Sequence, residues 1–594
     1  MVLQGERSTV AEVKWEMSVK IATPVMTLAL VSVCAASTPG EPVLLTADLG
    51  FAADLRKFGI SNDGECVYFC AEDDSRPGNP IHLFDVPIVG GQITQHTAEV
   101  SDIQVDVREW NFCPTGDFLI YMRGNHPNHA DLYRLSLDTG HTAQLTFIDE
   151  VQDLLYPQRG FLITPDGASV IYSASFSLML NELYSVRIDG TSPPVRINGP
   201  MVGSSSNALK VSITPDSQRV LYVADQEVDR RQDLYVGSPD GGATVRLNGT
   251  TGLAGKELDY LLSQDGSRVI YNVYVTGQGE RLFSRPVEGG SEVALTPGLP
   301  GGREVKEQWL SPDGQWVFYS ADARTDGRYE LYSVPLSGGT SVRVSGETLA
   351  EGDSYVTNLA FSPDSSQVAF AIQGPESSSV WLASCADGEA VLVHEWAGDG
   401  ARLSFTPDGE RMLIRSGWSY HDMRLFSCPT DGGPGLYLGP HTHGGYTFRL
   451  LPDGEHIVYT SGIGDSRDDL YCGRVDGASE PVLLSTDAYS GIDEIGGVQV
   501  SPDGLTVVYS RLDAWDEHLY SVRIPVDSWL ADVNGDGGVD LRDYDIIARN
   551  WAATGEGVEG DISGPNGIPD GIVDSHDFKA FLEDLEASQP LESR

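Results

Sequence analysis

Asp532, Asn534, Asp536, Asp540 and Asp543 stand at positions 1, 3, 5, 9 and 12 of a twelve-residue stretch, with Gly537 at position 6. Oxygens at that spacing converge on one point when the chain turns sharply at the sixth residue, and a hard divalent cation takes about six to eight of them. The stretch is therefore read as a calcium loop. Asp532, Asn534, Asp536 and Asp543 supply side-chain oxygens, Gly538 a backbone carbonyl, and Asp540 acts through water. Asp rather than Glu at position 12, and no helical pattern before the loop, separate it from a paired EF-hand.

A second loop mirrors the first, with Asp570, Ile572, Asp574 and Asp577 at positions 5, 7, 9 and 12. Nine residues separate Asp561 from Asp570 where four would separate positions 1 and 5. Either Asp561 and Ser563 complete the ligand set or backbone carbonyls of the insertion do. Each loop leads into apolar residues at helical spacing, Tyr544, Ile547, Ala548 and Trp551 in one half and Phe578, Phe581, Leu582 and Leu585 in the other. These two loop–helix units, at residues 527–588, resemble a type I dockerin domain, a small α-helical, EF-hand-like module, with 589–594 as a tail. The resemblance implies calcium-dependent docking to a cohesin-like partner through residues just before position 12 of each loop. Those are Leu541 with Arg542 and Ser575 with His576, so the two halves differ there.

Other candidate chemistry is thinner. Gly417-Trp418-Ser419-Tyr420-His421 invites comparison with the G-x-S-x-G nucleophile elbow, but His421 replaces the second Gly and no strand-to-helix context surrounds it. His126 with His129, and His441 with His443, lack carboxylates at a fixed strand spacing and read as polar loop histidines. No catalytic residue and no organic cofactor site is assigned. Seven cysteines form no CxxC and no zinc spacing. Cys66 and Cys70 share one face if a single strand carries them; either one disulfide links two of Cys66, Cys70 and Cys113, or all three are core residues.

The elements that must carry any site come from a repeat. Turn tetrapeptides begin at Ser61, Cys113, Thr164, Thr214, Ser263, Ser311, Ser362, Thr406, Leu451 and Ser501, a mean period of about 49 residues. Pro presets φ, Asp and Gly complete a tight hairpin, and an apolar strand, a loop, a Leu-Tyr strand and a short outer strand follow. Strand-rich units without helical periodicity stack as blades. The SPDG-strand-loop-LY pattern over 41–526 resembles the WD40-like repeat of TolB-type β-propellers. The expected fold is an all-β propeller of about ten four-stranded blades.

Blades one to nine each end in an outer strand and blade ten does not. Glu41-Pro42-Val43-Leu44-Leu45 repeats Glu480-Pro481-Val482-Leu483-Leu484 letter for letter, so the first strand is expected to complete the last blade and remove the exposed edges. That closure favours one ring of ten blades, with two smaller rings sharing a blade as the alternative. Loops between second and third strands, including Asp225 to Asp233, Asp322 to Arg328 and Trp418 to Asp422, emerge on one rim and are the expected ligand-facing variation.

A formal charge of −47 argues against nucleic acid and anionic membranes as partners. It fits either an acid-rich, solubilising surface or one that attracts cations. Residues 1–37 read as a secretory leader: Lys20 precedes an apolar run from Ile21 to Ala36, Met17 is the expected start, and the run is too short to span a membrane. Lipidation at Cys34 is opposed by the size of Val33. The functional expectation is a secreted, non-enzymatic scaffold, with a propeller rim for a protein or glycan and a calcium-dependent module for a cohesin-like partner. The alternative is a polysaccharide-degrading hydrolase or lyase with its carboxylates in the propeller channel.

Overall fold

A computed structural model describes residues 41–524 apart from short stretches between strands such as 98–105, 147–159, 346–354, 418–422, 440–446 and 486–492. The stretches read from sequence as a leader (1–37) and as a calcium-binding module with its tail (527–594) lie outside the described residues.

The recurrent turn is built by its own side chains. In blade six, Ser311 N donates to Trp316 O (2.9 Å) and Gly314 N to Ser311 O (2.8 Å). Ser311 Oγ donates to Asp313 Oδ1 (2.5 Å) and accepts from Trp316 N (2.9 Å), while Asp313 Oδ1 also accepts from Gln315 N (3.0 Å). Ser and Asp thus satisfy backbone groups that the hairpin leaves open, and Gly314 takes the left-handed φ of 68° that follows. Ser217 and Ser365 occupy that left-handed position at φ 61° and 59°. Their hydroxyls accept Asp166 N and Asp313 N of the preceding blades at 3.0 Å, which offsets a strain of about 1–2 kcal/mol. Where Leu451 lacks the hydroxyl, the His456 ring bonds Asp453 instead at 2.6 Å.

Each turn joins the first two strands of a four-stranded antiparallel sheet, and ten such sheets follow along the chain. In blade six the strands are Val305–Leu310, Trp316–Ala321, Glu330–Pro335 and Val342–Arg343. The tyrosine of the Leu-Tyr strand is explained by a cross-strand stack. Tyr121 lies over Tyr133, Tyr319 over Tyr332 and Tyr509 over Tyr520, with ring centroids 5.3, 5.4 and 5.4 Å apart. Such pairs contribute about 0.5–1.5 kcal/mol beyond the area they bury.

Outer strands are held by a second recurrent clamp. In blade nine Leu484 N donates to Leu470 O (2.7 Å), and Leu470 N donates to Ser485 Oγ (3.1 Å). In blade ten Leu45 N donates to Leu519 O (2.8 Å), and Leu519 N to Thr46 Oγ1 (3.3 Å). Val43 and Leu44 pair with Ser521 and Tyr520, so the N-terminal strand supplies the outer strand of the last blade as its sequence predicts.

The choice between one ring and two is settled by packing. Ten apolar clusters each join a pair of blades adjacent in cyclic order, from Tyr68, Cys70, Trp110 and Tyr121 between blades one and two to Leu45, Phe69, Val508 and Leu519 between ten and one. Gln499 of blade ten reinforces the last contact, donating to Phe58 O (2.8 Å) and accepting from Ile60 N (3.2 Å) of blade one. The fold is one ring of ten blades. Cys66 and Cys70 face the same interface while Cys113 packs into the next. All six cysteines among the described residues are free thiols.

Candidate functional site

First strands of neighbouring blades approach one another, so their side chains line the axis of the ring. Most cations on these strands are neutralised locally: Lys57 by Glu109, Arg108 by Asp106 at 3.1 Å, and Lys210 by Asp259 at 3.1 Å. Blades seven to nine differ. Their first strands, Tyr355–Phe361, Ala401–Phe405 and Phe448–Leu450, border a cleft of about 410 Å³ whose lining includes Arg402, Arg415 and Arg449 and, among the described residues, no acidic residue.

Local structure aims these groups. A bulge between Val356 and Asn358 turns Asn358 so that its amide donates to Ala401 O (2.6 Å) and ties blade seven to eight. Arg402 and Arg415 are directly opposite on paired strands, a like-charge arrangement that costs up to about 1 kcal/mol. Among the described residues neither Arg402 nor Arg449 forms an ion pair, and Arg449 donates only to the neighbouring Phe448 O (2.9 Å). The floor carries Phe448, Ser404 and Thr447.

A second cleft, of about 210 Å³, lies between blades five and six and is lined by Asp259, which pairs with Lys210, and by Glu307 beside Lys306. Asp259 N donates to Asn272 Oδ1 (2.6 Å), and Asn272 Nδ2 donates to Glu280 Oε1 (2.6 Å). Burial, reinforced by the nearby Glu304 carboxylate, pushes Glu280 up to about 7. Burial also raises Glu307, against the pull of Lys306.

Because folded Glu280 holds its proton more tightly than the unfolded chain, its contribution is favourable below about 4.5 and is lost as pH rises through about 7. Glu280→Gln keeps the acceptor for Asn272 and removes the charge. The variant is expected to gain about 2 kcal/mol over the wild type at pH 8, allowing for partial solvation, and almost nothing at pH 5. Urea unfolding at the two pH values measures the difference, and equal gains would contradict the assignment.

Two of the rim loops singled out by sequence are tied by ion pairs or hydrogen bonds of their own. Arg231 bridges Asp233 (2.7 Å) and Glu227 (3.1 Å), and Arg246 holds Glu227 from the outer strand at 2.6 Å. Asp322 accepts Glu304 N (2.9 Å) and Gly327 N (3.3 Å). Residues 418–422, with the elbow-like Ser419 and His421, and His441 and His443 lie outside the described residues. His126 and His129 pair across the hairpin of blade two. Among the described residues no cluster of His, Cys, Asp and Glu has the makings of a metal site.

All sixteen residues assigned to calcium or partner binding, from Asp532 to Asp577, fall outside the described residues. What sequence reasoning missed is the arginine cleft. Its signal was present: Arg402 and Asn358 each stand four residues before their turn tetrapeptide, and Arg449 two, in a chain otherwise rich in acid.

No helix among the described residues is long and apolar enough to cross a membrane. Neither a sequence family nor a curated protein matches the chain. Among solved structures, a eukaryotic initiation factor is similar with 13% identity and a TM-score of 0.42, covering 64% of this chain and 87% of its own. An oligogalacturonate lyase in complex with manganese has 14% identity, a TM-score of 0.33 and coverages of 68% and 98%. A putative TolB from Agrobacterium tumefaciens has 16% identity, a TM-score of 0.24 and coverages of 52% and 85%. At this similarity the assignment of a ten-bladed β-propeller rests on the chain's own strand ladders, with TolB among its structural neighbours.

Proposed function

We propose that the protein is a secreted binding scaffold. Its propeller holds a ligand on the axis-facing clefts and rim, and its C-terminal module, folded by calcium, docks it to a cohesin-like partner. The observation that carries this reading is the closed ring with a ligand-sized cleft on blades seven to nine whose Arg402 and Arg449 have no ion-pair partner among the described residues. Repeat scaffolds place binding surfaces where equivalent positions diverge, and here three successive first strands diverge together.

A polysaccharide-cleaving activity is the second reading, favoured by the carboxyl groups at the cleft between blades five and six. Glu280, partly protonated near neutral pH and joined through Asn272 to the backbone at Asp259, would act as the acid, with a cleft carboxylate such as Glu307 as the base, in glycoside chemistry. The two readings separate when the full chain is incubated with acidic and neutral polysaccharides in calcium and the glycans are recovered and sized. Retention at unchanged length is expected. Shortened products that vanish in Glu280→Gln would replace the scaffold by an enzyme.

A further inference from the structure

We propose that the cleft lined by Arg402, Arg415 and Arg449 binds an anion carrying two or more carboxylate groups. This deepens the scaffold reading and rests on it, naming the ligand class of the same cleft.

The three guanidinium groups come from two paired strands of blade eight and from the first strand of blade nine. Adjacent strands are about 4.8 Å apart, so the charges are spread rather than focused on one point. A spread set of planar forks suits several carboxylates, each able to take paired hydrogen bonds, better than one compact anion. Lys57, Arg108 and Lys210 on other first strands have carboxylate partners and Lys306 lies over the Tyr329 and Tyr355 rings, whereas Arg402 and Arg449 have no ion-pair partner among the described residues. Phe448 adds an apolar face and Ser404 a hydroxyl, within a volume of about 410 Å³. That space admits a tricarboxylate or an acidic disaccharide. The net charge of −47 repels such ligands at long range, so capture depends on short-range contacts within the cleft.

The test is calorimetry of the full chain with citrate, a uronic-acid disaccharide and inorganic phosphate. At least one carboxylate probe is expected to bind more tightly than phosphate. Citrate alone would mark a free polycarboxylate as the source, and the disaccharide a glycan. Arg402 and Arg449 are exposed, so Arg402→Gln with Arg449→Gln should fold normally and weaken binding at least about thirtyfold, the loss of two charge-assisted contacts. Arg187→Gln, on an exposed pair with Asp189 in blade three, should leave binding unchanged. Absence of carboxylate binding up to about 10 mM, tighter binding of phosphate, or full affinity in the double variant would overturn the proposal. Polysaccharide capture that persists in the double variant would sink this site and leave the scaffold standing. Citrate binding without any capture would do the reverse.

Discussion

Deletion of residues 41–46 is expected to destabilise the ring by about 3–5 kcal/mol and to make it self-associate. Leu45 is 2% exposed and packs with Phe69, Val508 and Leu519 at the interface that joins the last blade to the first. Burying one leucine contributes about 1.5–3 kcal/mol. The ladder of Val43 and Leu44, with the bonds at Leu45 N and Leu519 N, adds several hydrogen bonds of about 1 kcal/mol each, partly offset by ordering the segment. In a ring of blades that touch only their neighbours, this interface is the one the chain cannot form locally. Its loss also bares the edge of Asp516–Arg523, a template for pairing with another molecule. Thermal melting and size-exclusion chromatography measure both effects, and an unaltered melting temperature would refute the closure. Two adjacent residues supply the internal control. Leu45→Ala should cost about 2–4 kcal/mol by leaving a cavity, whereas Leu44→Ala, at a position 37% exposed, should cost under about 1 kcal/mol.

That closure was legible because it depends on a local pattern repeated twice: Val-Leu-Leu followed by a hydroxyl residue, Thr46 in one copy and Ser485 in the other. The turns were legible for the same reason, since Ser311 and Asp313 satisfy backbone within their own hairpin. The number of rings was not, because both arrangements use the same strands; only the cyclic succession of interfaces, ending with Gln499 against Phe58, distinguishes them. The clefts were harder still. Arg402 and Arg449 sit on strands of five and three residues, too short for a periodic signal, and meet only through the stacking of blades about 45 residues apart. Glu280 looks like any surface glutamate until Asn272 and Glu304 are packed around it, because burial is set by the neighbouring blade rather than by the strand that carries the residue.

The ring and the calcium module should melt independently, and calcium should act on the module alone. On the calcium reading of the sequence, the Asp532–Asp543 loop would bring four side-chain carboxylate or amide ligands and two more oxygens together, and unliganded carboxylates at that density repel one another. Folding of the loop and its helix is therefore expected to require the ion, so that binding energy becomes folding energy. At calcium a hundredfold above its Kd the stabilisation is about 2.7 kcal/mol. In the full chain this should show as a small, separate thermal transition that rises with calcium and disappears with chelator, while the main transition of the propeller stays fixed. Asp532→Ala with Asp536→Ala removes ligands 1 and 5 and should abolish the calcium-dependent transition and the corresponding heat of binding. Asp570→Ala with Asp574→Ala tests the loop bearing the insertion: a fall from two bound ions to one would assign it a calcium of its own, and unchanged stoichiometry would restrict binding to the first loop. The ring gains nothing from the ion because its edges are already paired, blade ten by the N-terminal strand. A propeller transition that moves with calcium, or collapses in Asp532→Ala with Asp536→Ala, would therefore overturn the independence of the two parts.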